Sequence, residues 1–445
     1  MKTDIEQLSP TSKKISIEIE PDEVDRKIDQ AYKEIQKRAK IKGFRPGRAP
    51  IKLLERYYGK QVIEDVTKEL INESFPKALQ DSELFPLNFP TLEKGTLEKG
   101  KSFRYSAVME VRPEIELGEY RGIEVKKEKV HITEEDVDKR LEEIRKAHGR
   151  LTSVESDRPV KEDDYVILEY AAFSGGQPLE DIKASNFMVR VGSGDFHPEF
   201  EKALIGAKKG EEKAIHVDFE QEYYHSQLAG KSIDFQVKIS DIKEMELPEV
   251  NDDFARRLDA EFDSFEALRA RVKEMMIQQE TQRVEREAKS RLIEKIAEGI
   301  ELPLPSSLVE SEILSGIESV RQDLMRSGSS LEKAGLSEEK LREEFRPSAE
   351  KKVKQSLILT EIAKKENITV TEEDLEEAFQ DLAKTTGQEV EPLRRYYEAR
   401  GLIDSMRQRL LEQKTLNYLM EHANIIEDET SATEQGANSK QEETA

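Results

Sequence analysis

Two alternating stretches frame two helical stripes in the first quarter of the chain. Ile15, Ile17 and Ile19 alternate with polar residues, as do Phe103, Tyr105, Ala107, Met109 and Val111. Such period-two patterning predicts half-buried strands. Between them Val24, Ile28, Ala31, Ile35 and Ala39 recur at helical spacing, followed by a second stripe of Val62, Val66 and Leu70. Residues 1–112 therefore read as an α+β domain with a loop projecting between two helices. Residues 113–159 read as a linker that includes a helix. There Thr133 and Asp136 have capping-box spacing, and Val137, Leu141, Ile144 and His148 share the face that follows. The same start recurs at Thr371 and Asp374.

From 160 to 246 the pattern shortens to strands at 165–171, 187–191, 214–219 and 233–242, rich in β-branched and aromatic residues. Gly175-Gly176 and Gly192-Ser193-Gly194 mark turns, and Pro198 and Gly206 bracket one short helix. A small antiparallel sheet around one helix is expected. From 247 to 426 only helical stripes remain, among them Phe265, Leu268, Val272 and Met275, then Val309, Ile313 and Ile317, then Val353, Leu357 and Ile362, then Leu402, Met406 and Leu410. Pro303, Pro305, Pro347 and Pro392 are expected to separate helices. Residues 427–445 hold six acids, one lysine and no apolar periodicity, and read as a disordered acidic tail. The fold class expected is multidomain α+β, with an extended all-α region after the sheet domain.

Composition narrows the chemistry. The 445 residues suggest about three domains, and 37% charged against 36% hydrophobic residues suggests an extended molecule with much solvated surface. Cysteine is absent, which excludes thiol nucleophiles and thiolate metal sites. His197, His216 and His225 fall in one domain, but their spacing fits no ligand pattern, so neither metal nor cofactor is expected. No apolar signal core or run of about 18 apolar residues occurs, so the cytoplasm and no membrane partner are expected.

Against a net charge of −23, residues 33–60 carry ten cations and only Glu34 and Glu55 as acids. Within this segment lies Gly43-Phe44-Arg45-Pro46-Gly47-Arg48-Ala49-Pro50, held out of helix by its glycines and prolines. On composition, the stretch is either a contact surface for a large anionic partner or an ordinary turn whose Phe44 packs inward. A second set of candidates is aromatic: Tyr170, Phe187, Phe196, Phe200, Tyr223 and Phe235 are either domain core or the lining of a concave apolar pocket.

The loop matches G-F-R-x-G-x-x-P, and its place before an FKBP-like segment and a long helical region resembles the bacterial trigger factor family over about residues 1–425. The resemblance implies a ribosome-associated chaperone. Its loop of Gly43, Phe44, Arg45, Pro46, Gly47 and Arg48 would dock on the large ribosomal subunit at the tunnel exit, against the exit-site protein and ribosomal RNA. Its helical part would hold unfolded nascent chains, and the free protein would be able to form a homodimer. Family members often have lysine where Pro46 stands here.

The resemblance also implies a prolyl isomerase pocket at Tyr170, Phe187, Phe200, Tyr223 and Phe235, with His197 at its edge, and a Thr133 helix that packs on helices after Leu247. His197 and Glu199 replace a family apolar residue and glycine, and Leu179 a flap phenylalanine, so weak or narrowed isomerase activity is expected. Rival readings are a non-ribosomal holdase or assembly chaperone, and an isomerase whose flanking domains only recruit substrate.

Overall fold

The computed structural model describes residues 1–428 except 40, 42–43, 45–46, 156–157, 222, 224–227 and 260–261, and only the backbone of 180 and 181. The chain forms two compact units, Met1–Glu128 with the described residues from Glu285 onward, and Lys129–Val284.

The first unit opens with β1 (Lys2–Ser9), β2 (Ser12–Ile19), α1 (Pro21–Arg38), α2 (Ile51–Asp81), β3 (Thr91–Lys94) and β4 (Phe103–Glu110). The four strands form one antiparallel sheet in the order β1-β2-β4-β3. Register sets Ile15 opposite Ala107, Ile17 opposite Tyr105 and Ile19 opposite Phe103, so both alternating stretches turn one apolar face to the stripes of α1 and α2. The polar members of this core satisfy each other: Ser74 Oγ and Tyr105 Oη lie 2.7 Å apart, and Ser74 also donates to the Leu70 carbonyl at 2.6 Å. β1, exposed along all but its last residue, supplies the edge that apolar alternation could not announce. β5 (Glu124–Glu128) closes this stretch.

The second unit begins with α3 (Glu134–Ala147), whose capping box is formed: Thr133 Oγ1 accepts from the Asp136 amide at 3.2 Å, and the Asp136 carboxylate accepts from the Thr133 amide at 3.0 Å. Then come β6 (Arg150–Ser153), β7 (Tyr165–Ser174), β8 (Gln177–Arg190), α4 (Pro198–Leu204), β9 (Glu212–Asp218) and β10 (Ser232–Glu246). They make a five-stranded antiparallel sheet, β6-β10-β7-β8 with β9 also on β10, and α4 packs on its apolar face. β8 starts at Gln177, well before the expected 187, because a tight hairpin at Gly175-Gly176 (φ +55° and +84°) returns the chain directly onto β7. α5 (Asp252–Leu258) and the start of α6 (Phe265–Glu298) bury Phe254, Ala255, Leu268 and Val272 against Val137 and Leu141 of α3.

The rest of α6 joins α7 (Ser306–Arg326), α8 (Glu338–Lys365), α9 (Glu372–Thr386), α10 (Val390–Ala399) and α11 (Ile403–Glu421) in the first unit. Val309, Ile313 and Ile317 pack on Val353 and Leu357, while Leu375, Phe379, Leu393 and Met406 make a separate small core. Pro347 does not break a helix; it lies inside α8. Both Pro347 and Glu343, whose carbonyl loses its amide partner, are on the exposed face, where water can solvate that carbonyl. β11 (Asn424–Asp428) pairs in parallel with β5 and so orders the first two residues of the expected tail; 429–445 lie outside the described residues. The architecture is multidomain α+β, and no helix among the described residues is long and apolar enough to cross a membrane.

Candidate functional sites: a basic loop and an aromatic pocket

The loop between α1 and α2 is anchored from within. Gln36, on the last turns of α1, accepts the Gly47 amide on its carbonyl at 2.9 Å and donates its side-chain amide to the Ala49 carbonyl at 2.7 Å. Gly47 has φ +84°, which disfavours a residue with a Cβ there, and Ala49 is buried in the domain core. Phe44 does not tuck into that core: it is 43% exposed, as is Ile51 at the start of α2. Gly43, Arg45 and Pro46 lie outside the described residues.

Around this loop Lys33, Lys37, Arg38, Arg48, Lys52, Arg56 and Lys60 are all exposed. None of them has a carboxylate within 4.0 Å among the described residues. Some cations elsewhere are paired, as in Lys27 with Glu69 and Glu73 at 2.7 and 2.6 Å, or Lys352 with Glu312 at 2.8 Å. The arrangement can therefore meet phosphates or acidic side chains without first breaking internal pairs.

The aromatic set converges on α4. Phe200 on α4 and Phe235 on β10 are fully buried with centroids 5.2 Å apart. Tyr170 on β7 lies 5.8 Å from Phe235 and 5.4 Å from Phe187 on β8. Tyr223, beyond β9, reaches the same site through its hydroxyl, which donates to the Phe196 carbonyl at 2.7 Å, and its ring meets Phe219 at a tilt, centroids 4.6 Å apart. All five expected pocket residues are thus brought together, joined by Phe196 and Phe219.

His197 sits on the Phe219–Tyr223 side, 4.9 and 6.2 Å from those rings. Its Nδ1 accepts the Glu199 amide at 3.3 Å and caps α4, so the neutral ring carries its proton on Nε2. Glu199 is exposed, and Leu179 packs at the margin of the domain core.

A group that sequence reading missed holds the rim. Glu201 is buried, its Oε2 accepting the amides of Gly192 and Gly194 at 2.9 Å each and its Oε1 the amide of Phe196 at 3.1 Å. Gly192 and Gly194, with φ +92° and +77°, let three amides converge on one carboxylate. The sequence signal was the Gly-Ser-Gly turn set nine residues before a glutamate in the short helix, a pattern too common to single out.

A prolyl site lined by aromatic rings would need no acid or base for amide rotation. The barrier about an X-Pro bond, about 18–20 kcal/mol for an ordinary peptide, arises from amide resonance. Apolar walls that exclude water disfavour the charge-separated planar amide relative to the twisted one.

Comparison with known proteins gives the family. Residues 1–144 match the family described as bacterial trigger factor protein, 264–421 the trigger factor C-terminus, and 156–240 the FKBP-type peptidyl-prolyl cis-trans isomerase family. A trigger factor from Citrifermentans bemidjiense is 36% identical over 96% of this chain and 98% of its own length. Another from Caldicellulosiruptor saccharolyticus is 36% identical over 98% of this chain and 100% of its own. A solved structure reported under "Promiscuous Substrate Recognition in Folding and Assembly Activities of the Trigger Factor Chaperone" is 22% identical over 95% of this chain and 99% of that one, with a TM-score of 0.49. The chain belongs to the trigger factor family of chaperones and carries an FKBP-type peptidyl-prolyl isomerase domain at its centre.

Proposed function

We propose that this chaperone works in the cytoplasm, docked on the large ribosomal subunit beside the nascent-chain exit, where it shields emerging polypeptides and isomerises their X-Pro bonds. The observation that carries the docking is the loop itself: Phe44 exposed beside Arg48 and Lys52, which have no carboxylate partner among the described residues, on a frame pinned by Gln36. Phe44 supplies apolar contact, and Arg45 and Arg48 meet ribosomal RNA phosphates or acidic side chains of the exit-site protein. In this division of labour residues 1–112 dock, 113–159 link, 160–246 catalyse and 247–426 hold clients.

Client holding rests on scattered apolar exposure. Leu314, Met325, Leu336, Tyr396 and Leu402 are each exposed on or between the helices of the first unit, while Met406 is buried in a helical core. Isolated apolar side chains set among ion pairs give many weak contacts, which lets a client leave in order to fold. Met325, unbranched and 67% exposed, adapts to varied sequences.

Tyr170, Phe187, Phe200, Tyr223 and Phe235 form the prolyl site in this reading, with His197 positioning its edge through the α4 cap. Co-sedimentation with bacterial ribosomes across a salt series tests the docking. The wild type binds at low salt and is released as salt rises, and Phe44→Ala with Arg45→Ala abolishes binding. Full binding by that variant would refute the loop as the docking element.

A further inference from the structure

We infer that Phe196 is a built-in occupant of the prolyl pocket, so that substrate enters only when this ring has swung out. The inference rests on the assignment of the prolyl site to the aromatic set around α4. The Phe196 centroid lies 4.7 Å from Phe200, 5.6 Å from Phe187, 5.7 Å from Phe235 and 5.8 Å from Tyr170. These four rings come from α4, β8, β10 and β7. A ring in contact distance of all four leaves no room for a pyrrolidine ring between them.

The backbone of Phe196 completes the likeness to a bound peptide residue. Its carbonyl accepts the Tyr223 hydroxyl at 2.7 Å, the kind of donor an incoming amide would use, and its amide is held by buried Glu201 at 3.1 Å. The ring itself is half-buried, at the mouth of the set, whereas Phe200 and Phe235 are fully buried behind it. Phe196 follows Gly192 and Gly194, both at positive φ, in a turn tied down by hydrogen bonds to Glu201. The turn stays fixed by Glu201, and rotation of the Phe196 side chain toward solvent opens the site.

The consequence is a tax on affinity. If the open form is a tenth of the population or less, apparent affinity for a prolyl peptide is weakened about tenfold or more relative to the open pocket. Removing the plug lowers KM and leaves kcat near the wild-type value, because the walls of the pocket are untouched.

The test uses the full chain and a short Phe-Pro peptide, with isomerisation followed by NMR exchange and binding by titration. Phe196→Val is expected to raise kcat/KM about tenfold, through KM, and to tighten peptide binding by the same factor. Phe196→Leu, closer to native volume, gives a smaller gain of the same sign and serves if the valine variant fails to fold. Unchanged or reduced kcat/KM in a folded Phe196 variant overturns the plug. Phe200→Ala separates the two levels of argument. Its loss of activity beside an unaltered Phe196→Val refutes the plug alone, and full activity in folded Phe200→Ala refutes the pocket and the plug with it.

Discussion

Phe44 and Phe200 are the same side chain in opposite settings. Phe44 stands 43% exposed on a loop whose described neighbouring cations, among them Arg48 and Lys52, have no carboxylate partner among the described residues, whereas Phe200 is fully buried in contact with Tyr170, Phe196 and Phe235. The first arrangement keeps its interaction energy for a partner; the second spends part of it on holding its own domain together. A loop built this way can be altered without unfolding the protein. A pocket built from core rings cannot be altered without changing stability as well as catalysis.

The largest effect that distinguishes them is on stability. Phe200→Ala or Phe235→Ala is expected to destabilise the isomerase domain by about 3–5 kcal/mol through lost burial and the cavity left behind. Phe44→Ala should stay within about 0.5 kcal/mol of wild type. Denaturant unfolding measures both, and an equal loss at the two positions would erase the distinction.

Next comes the rim. Glu201→Ala strands the amides of Gly192, Gly194 and Phe196 in a partly buried turn and is expected to cost about 1–3 kcal/mol. Isomerase activity should fall while ribosome binding is unaffected. A variant as stable as wild type would show that water replaces the carboxylate there.

A pH effect of smaller reach belongs to the helical part of the first unit. Hydrogen bonds from Tyr120, then Tyr418, with Arg121, hold the Glu366 carboxyl down at about 2 from its ordinary 4.5. A depressed carboxyl pKa means the stabilisation is complete above about 4.5 and is lost as pH falls toward 2. Melting temperature should therefore drop more steeply over that window in wild type than in Glu366→Gln. Parallel curves would remove Glu366 from acid unfolding. The smallest expected change is Arg48→Ala, which leaves stability alone and lowers the slope of log binding constant against log salt by about one.

Legibility divides along the same line as construction. The loop was readable because charge runs, glycines and prolines act locally, and Gly47 at φ +84° is where a backbone needs that residue. The alternating strands β2 and β4 were readable because one buried face forces period two. β1 and β3 were not, since mostly exposed edge strands carry no such pattern. β11 was hidden because its parallel partner, β5, lies some 300 residues away in the chain. Pro347 misled because exposure of the helix face, which decides whether a freed carbonyl is solvated, is a tertiary property.

Around α4 the aromatic residue types were legible, but that Phe196 lies between Tyr170, Phe187, Phe200 and Phe235 depends on rings from four separate elements. The buried role of Glu201 likewise required the turn at 192–194 to be folded over it.

One measurement tests the central claim, that docking and catalysis reside in separate sites built on opposite principles. Ribosome co-sedimentation and prolyl isomerisation would be assayed on the same preparations of wild type, Phe44→Ala with Arg45→Ala, and Tyr223→Phe, which removes only the hydroxyl that meets the Phe196 carbonyl. The account predicts that the loop variant loses ribosome binding and keeps isomerase activity, while Tyr223→Phe changes isomerase activity and keeps ribosome binding. A loop variant that still sediments with ribosomes, or either variant altering both activities in a folded protein, would contradict it.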